Sequence, residues 1–178
     1  MPGMMKKILW TLAFATVMVT PLEAQDRDPR SRWSIGTSLT YPMARIYQVY
    51  ANYRIDNRHE LFFGPCFQNF TNDSFTSNAY TLILGYRRYV WKDLSIEAEL
   101  YPAFNRIYSK VTDSHYPGWE LWGELKVGYT FNFANDRLYL HPAPGIGFGF
   151  FRTNKPPRFD EEITAPTFAP QVVFGIRL

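Results

Sequence analysis

Three histidines are the side chains of this 178-residue chain best suited to acid–base or metal chemistry. They are His59, His115 and His141, and none has metal-ligand spacing to another histidine or to a cysteine. His141 falls on the polar face of a predicted strand, so we interpret it as a hydrogen-bonded member of an interior polar network. The histidine pattern therefore predicts no metal site and no cofactor.

Two Asp-Ser pairs are the other candidates, here for hydrolytic or acyl-transfer chemistry. Asp73 precedes Ser74, and Asp113 precedes Ser114 and His115. A serine nucleophile needs a base within hydrogen-bond reach and a third group that orients the base. Both pairs fall in predicted loops, where polar residues are usually just solvated. We therefore predict no catalytic residue.

The elements that would position these residues are strands, and the longest alternating segment is 119–133. Its odd positions run from Trp119 to Phe133 and are apolar or glycine, whereas its even positions include Glu120, Glu124 and Lys126. Soluble strands usually have about five or six residues, whereas a tilted strand that crosses a bilayer needs about nine to eleven. Aromatic rings at both ends of an apolar face are typical of contact with lipid headgroups. The segment predicts a membrane-spanning strand.

Alternation of this kind recurs along the chain and predicts eight strands. Their expected ranges are 32–41, 46–55, 60–70, 79–90, 94–105, 118–133, 138–151 and 167–178. Short turns follow the second, fourth and sixth strands, and longer links follow the third, fifth and seventh, at 71–78, 106–117 and 152–166. Short links between successive strands imply pairing of neighbours. The predicted fold is all-β, an eight-stranded antiparallel up-and-down transmembrane β-barrel.

The two faces of these strands differ in chemistry. The outward face is apolar and on the first strand includes Trp33, Ile35, Leu39 and Tyr41. The inward face carries a polar network consisting of Arg54, Arg87, Glu97, Glu99, Glu120, Glu124, Lys126, His141 and Arg177. Its four basic and four acidic residues, His141 apart, can pair, which offsets the cost of removing charges from water. Because the lumen of an eight-stranded barrel is just wide enough for side chains, we expect a plugged lumen and no diffusion pore.

The first part of the chain predicts export. Lys6 and Lys7 precede an apolar run that ends before Ala24, which indicates a cleaved signal peptide at 1–24. A short polar segment at 25–31 and the barrel at 32–178 would follow. Mean hydropathy is −0.26 although aromatic residues make up 18% of the chain, as expected where half of each strand faces lipid. A net charge of +3 is too small to indicate nucleic-acid binding, and the single Cys66 excludes an internal disulfide.

The signal, the asymmetry of the loops and the final strand from Gln171 to Leu178 together resemble the small outer-membrane barrels of the OmpA and OmpX type. The resemblance implies a location in the bacterial outer membrane, contact with its lipid and lipopolysaccharide, and a monomer. It also implies that the assembly machinery for barrels recognises the last strand. In that family this strand often ends in an aromatic residue, whereas here it ends in Leu178.

A lipid-modifying enzyme is the alternative. The lipid A palmitoyltransferase resembles this chain in having prolines on its strands, where they open gaps for a lipid chain. The prolines here are Pro65, Pro102, Pro142, Pro144 and Pro170, all on outward positions. That enzyme uses a histidine of its first outer loop, which is absent from 41–45, and the lipid A deacylase has His-x-Ser, whereas His141 is followed by Pro142 and Ala143. Lateral lipid access near Pro142, Pro144 and Pro170 remains the feature in favour of this alternative.

Three hypotheses follow from the pattern. The first is a non-catalytic outer-membrane barrel that serves envelope integrity or surface interaction. The second is the lipid-modifying enzyme. The third is a soluble lipocalin-like barrel with its apolar side inward, which would have to enclose too many large rings in a narrow lumen.

Overall fold

A computed structural model describes residues 31–157 and 166–178, so the predicted signal at 1–24 lies outside the described residues. The strands are β1 Trp33–Ser38, β2 Ile46–Arg54, β3 His59–Thr71, β4 Phe75–Trp91, β5 Leu94–Ser109, β6 Ser114–Tyr129, β7 Phe131–Phe133, β8 Leu138–Arg152 and β9 Thr167–Arg177. A 3-10 helix at Tyr41–Ala44 lies between β1 and β2. Within the described residues, no helix has the length and apolarity needed to span a membrane.

The strands form one closed antiparallel barrel. Consecutive strands pair from β1 through to β6, β8 pairs with β6, β7 and β9, and β9 pairs with β1 to close the circle. Because β6 and β7 together make one wall strand, the barrel has eight. The predicted eight-stranded antiparallel up-and-down barrel is confirmed.

The two ends of the barrel differ, and we name them by their connections. The turn end carries the links at 55–58, 92–93 and 134–137 together with Trp33 and Arg177. The loop end carries the links at 39–45, 72–74 and 110–113, together with residues 153–157 after β8 and 166 before β9. Two loop-end links are shorter than predicted because β4, β5 and β6 extend by several polar residues that continue the ladders, as in Thr76 opposite Tyr108. Asn72 closes the first of them by accepting hydrogen bonds from the amides of Ser74 and Phe75.

The first strand is shorter than predicted, and as a result one side chain points into the barrel and not outward. β1 ends at Ser38, and the chain enters the 3-10 helix with Pro42 in its first turn and leaves it at Arg45 in the left-handed region (φ 58°). The turn breaks the two-residue period. The prediction that Tyr41 faces outward is therefore wrong, because its ring is buried inside the barrel.

Prolines interrupt the hydrogen-bond ladders without changing the register. Lys126 lies opposite Gly145, and Phe131 lies opposite Leu140. The two pairs belong to the same register. Between them, however, four residues on each strand form no ladder hydrogen bonds. Pro142 falls in that gap, and so does Pro144. Because proline has no N–H to donate, the wall between β6 and β8 is held there by other contacts. The break between β6 and β7 lies where the β5–β6 ladder ends at Tyr129 and before pairing with β8 resumes at Phe131.

The other strand prolines also lie where hydrogen-bond ladders are interrupted. A ladder gap between β2 and β3 contains Pro65, and one between β4 and β5 contains Pro102. Near the loop end of β9, the hydroxyl of Thr40 donates to the carbonyl of Pro170 and accepts from the amide of Val172, each at 3.1 Å. The backbone bond from Leu39 to Val172 ends the link between β1 and β9, and the Thr40 side chain continues it to Pro170.

Candidate functional site in the barrel lumen

A cluster of charged groups fills the lumen on the turn-end side, and Arg87 is its centre. The guanidinium donates through Nε to Oε1 of Glu97 at 2.8 Å, and it also donates to Glu60 on the neighbouring strand. All three side chains are buried. The guanidinium carbon lies 5.2 Å from the ring centre of Phe62, close enough for a cation–π contact. One cation thus neutralises carboxylates from two sides, as a buried charge requires.

His141 completes this Arg87 cluster from the opposite wall. Its Nε2 contacts the Glu97 carboxylate, and its Nδ1 lies 2.9 Å from the hydroxyl of Thr130. The contact with Thr130 crosses the seam in which prolines interrupt the ladder, so the side chains join the wall there. Gly128 leaves the space that the imidazole occupies, because a Cβ at that position would lie 2.3 Å from Nε2.

A second cluster surrounds Lys126 near the middle of the lumen. Its ammonium lies 2.8 Å from carboxylate oxygens of Glu99 and of Glu124, and it donates to the amide oxygen of Gln171 at 2.8 Å. The carboxylates come from the neighbouring strands β5 and β6, and Gln171 comes from β9, which is separated from β6 by β8. The Lys126 cluster therefore ties the walls together across the lumen.

Two tyrosines form the loop-end side of the Lys126 cluster. The hydroxyl of Tyr41 donates to Glu124 at 3.0 Å, and Tyr101 donates to both Glu99 and Glu124, the latter at 3.1 Å. The ammonium of Lys126 lies 5.5 Å from the ring centre of Tyr41. At Glu99 the phenol of Tyr101 reaches the oxygen that the lysine does not contact, whereas at Glu124 both phenols and the lysine share one oxygen.

The other predicted network residues lie at the two ends. At the loop end, Glu120 accepts from Arg152 at 2.7 Å and from Asn105 at 3.0 Å. At the turn end, Arg177 donates to the Asn132 side chain at 2.7 Å, and the buried Arg54 lies opposite Glu60 across the β2–β3 pair. The nine predicted residues thus face the lumen, but they belong to separate groups along its axis.

Sequence reasoning missed several members of these clusters. Glu60 and Tyr101 each lie an even number of residues from an inward-facing residue on the same strand, so the alternation could have identified both as inward-facing. Arg152 was not identifiable in this way. Leu121 pairs with Phe151 while the next residue of β6 pairs with Gly149, so a bulge shifts the phase of β8 just before Arg152.

The loop-end half of the lumen contains a cavity of about 790 Å³. The predicted plug therefore fills only the other half, because the long charged side chains lie towards the turn end, whereas small residues such as Ala79, Ala103 and Ala169 face the lumen here. One row of laterally paired residues crosses the cavity wall, and its members are Gln48, Cys66, Thr81, Ala103 and Glu120. Within the described part of the chain, Oε1 of Gln48 and Oγ1 of Thr81 have no hydrogen-bond partner although both atoms are buried.

The cavity meets the outside of the barrel at the loop end. Its lining includes Met43 and Phe168, which are 88% and 67% exposed, and also Thr40 and Pro170. Here the amide of Leu39 donates to the carbonyl of Val172 at 2.7 Å, and beyond it the hydroxyl of Thr40 links the chain after β1 to Pro170 and Val172 of β9. Of the three prolines considered for lateral access, Pro170 lines the cavity, whereas the other two lie in the β6–β8 seam beside the Arg87 cluster.

The candidate catalytic residues lie apart from one another. His59 contacts the hydroxyl of Tyr86 at the turn end, His115 packs against the ring of Tyr108 at the loop end, and His141 is enclosed in the Arg87 cluster. Among the described residues, no group of three or more His, Cys, Asp or Glu side chains is arranged to hold a metal ion.

Comparison with family models, with curated proteins and with solved structures gives no match to this chain. Its function is therefore inferred from the lumen and the outer face.

Proposed function

We propose that the chain is an integral β-barrel of the bacterial outer membrane that conducts no solutes, has no catalytic role, and serves envelope integrity or surface interaction. One observation carries the proposal, namely that the polarity of the barrel is inverted. Arg87, Glu97, Lys126 and His141 are almost completely buried in the lumen, while large apolar side chains cover the outer wall. Water would favour the reverse arrangement, whereas a bilayer favours this one.

The outer face supports this proposal through the order of its side chains. Exposed aromatic rings at the turn end include Trp33, Trp91, Phe131 and Phe133. Those at the loop end include Tyr47, Phe70, Tyr80, Trp119 and Phe168. Mostly aliphatic side chains lie between them, among them Ile35, Val49, Leu82, Leu84, Leu100 and Ile146. Two aromatic belts around an aliphatic band match the two interfaces and the core of a bilayer.

The soluble, lipocalin-like alternative does not fit this distribution. It requires the apolar face inside and a polar face in water. An exposed apolar surface that surrounds the whole molecule far exceeds the few hundred Å² that soluble monomers usually expose.

A charge placed on the outer wall tests the membrane location. Leu84→Arg lies in the aliphatic band, and we expect it to destabilise the barrel in phospholipid vesicles by about 2–4 kcal/mol, the cost of arginine near the bilayer midplane. Val111→Arg is the matched control, because Val111 is 70% exposed in a loop-end link and should cost little. Partition with outer-membrane fractions and a heat-sensitive mobility in detergent gels are also expected. Recovery of the native protein in the soluble fraction, with no penalty for Leu84→Arg, would overturn the assignment.

Ion conductance tests whether the lumen is closed. Two ionic clusters cross the lumen between the cavity and the turn end, so we expect no steady ion conductance when the protein is inserted in a planar bilayer. A stable single-channel current at neutral pH would contradict a plugged lumen. The matched comparison is Lys126→Ala, which removes the central cation and should raise conductance if the plug is the barrier.

The lipid-modifying enzyme is the second candidate, and the cavity with Pro170 at its mouth favours it. Mass analysis of lipid A from cells with and without the gene distinguishes the two. An unchanged acyl pattern on overexpression supports the non-catalytic function, whereas a gained or lost acyl chain would establish the enzyme.

A further inference from the structure

We propose that the loop-end cavity binds one uncharged amphiphile, an apolar chain with a terminal hydroxyl, whose hydroxyl bonds to Gln48 or to Thr81. At about 790 Å³ the cavity falls in the range of roughly 300–1,000 Å³ that encloses small-molecule ligands. It lies within the lumen on the loop-end side of the Lys126 cluster, so its occupant need not disturb the ion pairs.

The walls of the cavity select an apolar body. Trp122 and Tyr101 line its inner part, and Ile46, Ile107 and Phe75 line it closer to the loop end. Burial of apolar surface is the main favourable contribution to such binding, at about 25 cal/mol per Å². A chain that extends from the middle of the lumen to the loop end would contact all of these side chains.

Two buried polar atoms select the head group. Oε1 of Gln48 and Oγ1 of Thr81 have no partner among the described residues, although the two residues are 5% and 7% exposed. A buried polar atom without a hydrogen bond is costly, so a ligand that supplies one gains affinity. Gln48 pairs with Cys66 and Cys66 with Thr81, which places the two atoms on alternate strands, about 10 Å apart at the backbone. A hydroxyl both donates and accepts, so it can serve the amide or the threonine.

The charges around the cavity indicate an uncharged ligand. Glu120 is paired with Arg152, and Glu124 is paired with Lys126 and with two tyrosines. Each carboxylate is thus matched inside the protein, and the described residues that line the cavity include no lysine or arginine to attract an anionic head group. A charged head group at Gln48 would have to leave water without a counter-ion.

Cys66 offers a direct readout because it is the only cysteine of the chain and lies between the two polar residues. The protein in phosphatidylcholine nanodiscs is treated with methyl methanethiosulfonate, and modification of Cys66 is followed by mass spectrometry. The probes are 1-dodecanol, dodecane and dodecanoate, each expressed as its mole fraction in the lipid. We expect 1-dodecanol to slow the modification saturably, at a mole fraction about tenfold lower than dodecane, which is the size of one hydrogen bond. Dodecanoate should protect no better than dodecane.

Three variants separate the contributions. Gln48→Leu with Thr81→Val should abolish the difference between 1-dodecanol and dodecane, while both still protect. Thr76→Val is the matched control, because Thr76 lies on the same strand and outside the cavity lining, and it should retain the difference. Ala103→Phe should occupy the cavity and remove protection by any probe. Heat-sensitive gel mobility establishes that each variant is folded.

Several results would overturn the proposal. Equal protection by 1-dodecanol and dodecane in the unmodified protein would exclude a polar head site. Failure of the reagent to reach Cys66 without any probe would exclude an open cavity, and unsaturable protection would mean a bulk effect of the lipid. Binding does not depend on the membrane assignment, since a protein recovered as soluble can be assayed in the same way in buffer.

Discussion

Replacement of Arg87 by methionine is the sharpest test of how the lumen is stabilised. The guanidinium contacts Glu60 and Glu97, and all three side chains are buried. Methionine preserves most of the apolar stem, so Arg87→Met removes the charge with little loss of packing. Two carboxylates then remain in the lumen without their central cation.

The expected cost follows from this arrangement. Removal of one partner from a buried ion pair typically costs about 3–5 kcal/mol, because the remaining charge is left uncompensated. A single pair 4 Å apart gives a similar value, about 4 kcal/mol, at an effective dielectric constant near 20. We therefore expect Arg87→Met to lower the free energy of unfolding by about 4 kcal/mol.

Urea unfolding in phospholipid vesicles, followed by tryptophan fluorescence, measures this loss. With a slope of about 2 kcal/mol per molar urea, the midpoint should fall by roughly 2 M. Arg106→Met is the matched control, since Arg106 is exposed on β5 and its replacement should cost less than about 1 kcal/mol. Adding Glu97→Gln to Arg87→Met should recover part of the loss, because one of the uncompensated charges is then removed.

A cost below about 1 kcal/mol for Arg87→Met would refute the reasoning. It would mean that water reaches the Arg87 cluster and screens its carboxylates, so that the turn-end half of the lumen is a hydrated channel. If Glu97→Gln restored none of the lost stability, the charge explanation would also be wrong, because the loss would then come from packing.

Two further predictions concern the wall. Gly64→Ala should destabilise the barrel by about 1–3 kcal/mol in the same urea assay, because its Cβ would lie 2.1 Å from the carbonyl oxygen of Val49, a backbone atom that cannot rotate away. Gly36→Ala is the control and should cost less, because the nearest atom to its Cβ would lie 3.0 Å away. Equal costs for the two variants would contradict the close approach at Gly64. Replacement of Pro142 and Pro144 by alanine should restore donors to the β6–β8 ladder, so hydrogen exchange at the two new amides should be slow; fast exchange there would mean that the prolines do not cause the gap.

The alternating pattern determined the class of fold and the chemistry of its two faces. A period of two places neighbouring residues on opposite sides of a strand, so apolar and charged positions along 119–133 already separate the outer wall from the lumen. Arg87, Glu97, Lys126 and His141 face inward as this period requires. These features depend only on local backbone geometry, and a sequence displays local geometry directly.

Tertiary structure decided the features that depend on how the strands meet. The 3-10 helix after β1 turns Tyr41 into the lumen, and the bulge in β8 turns Arg152 inward, because either irregularity resets a period that sequence reasoning must assume. The partition of the lumen into an ionic half and a cavity has a similar cause. Residues distant in the chain share a level along the barrel only through the stagger of strand pairing, so the register brings Gln48 beside Cys66 and Thr81. Alternation states which side a residue faces, and only the closed barrel determines which residues it faces there.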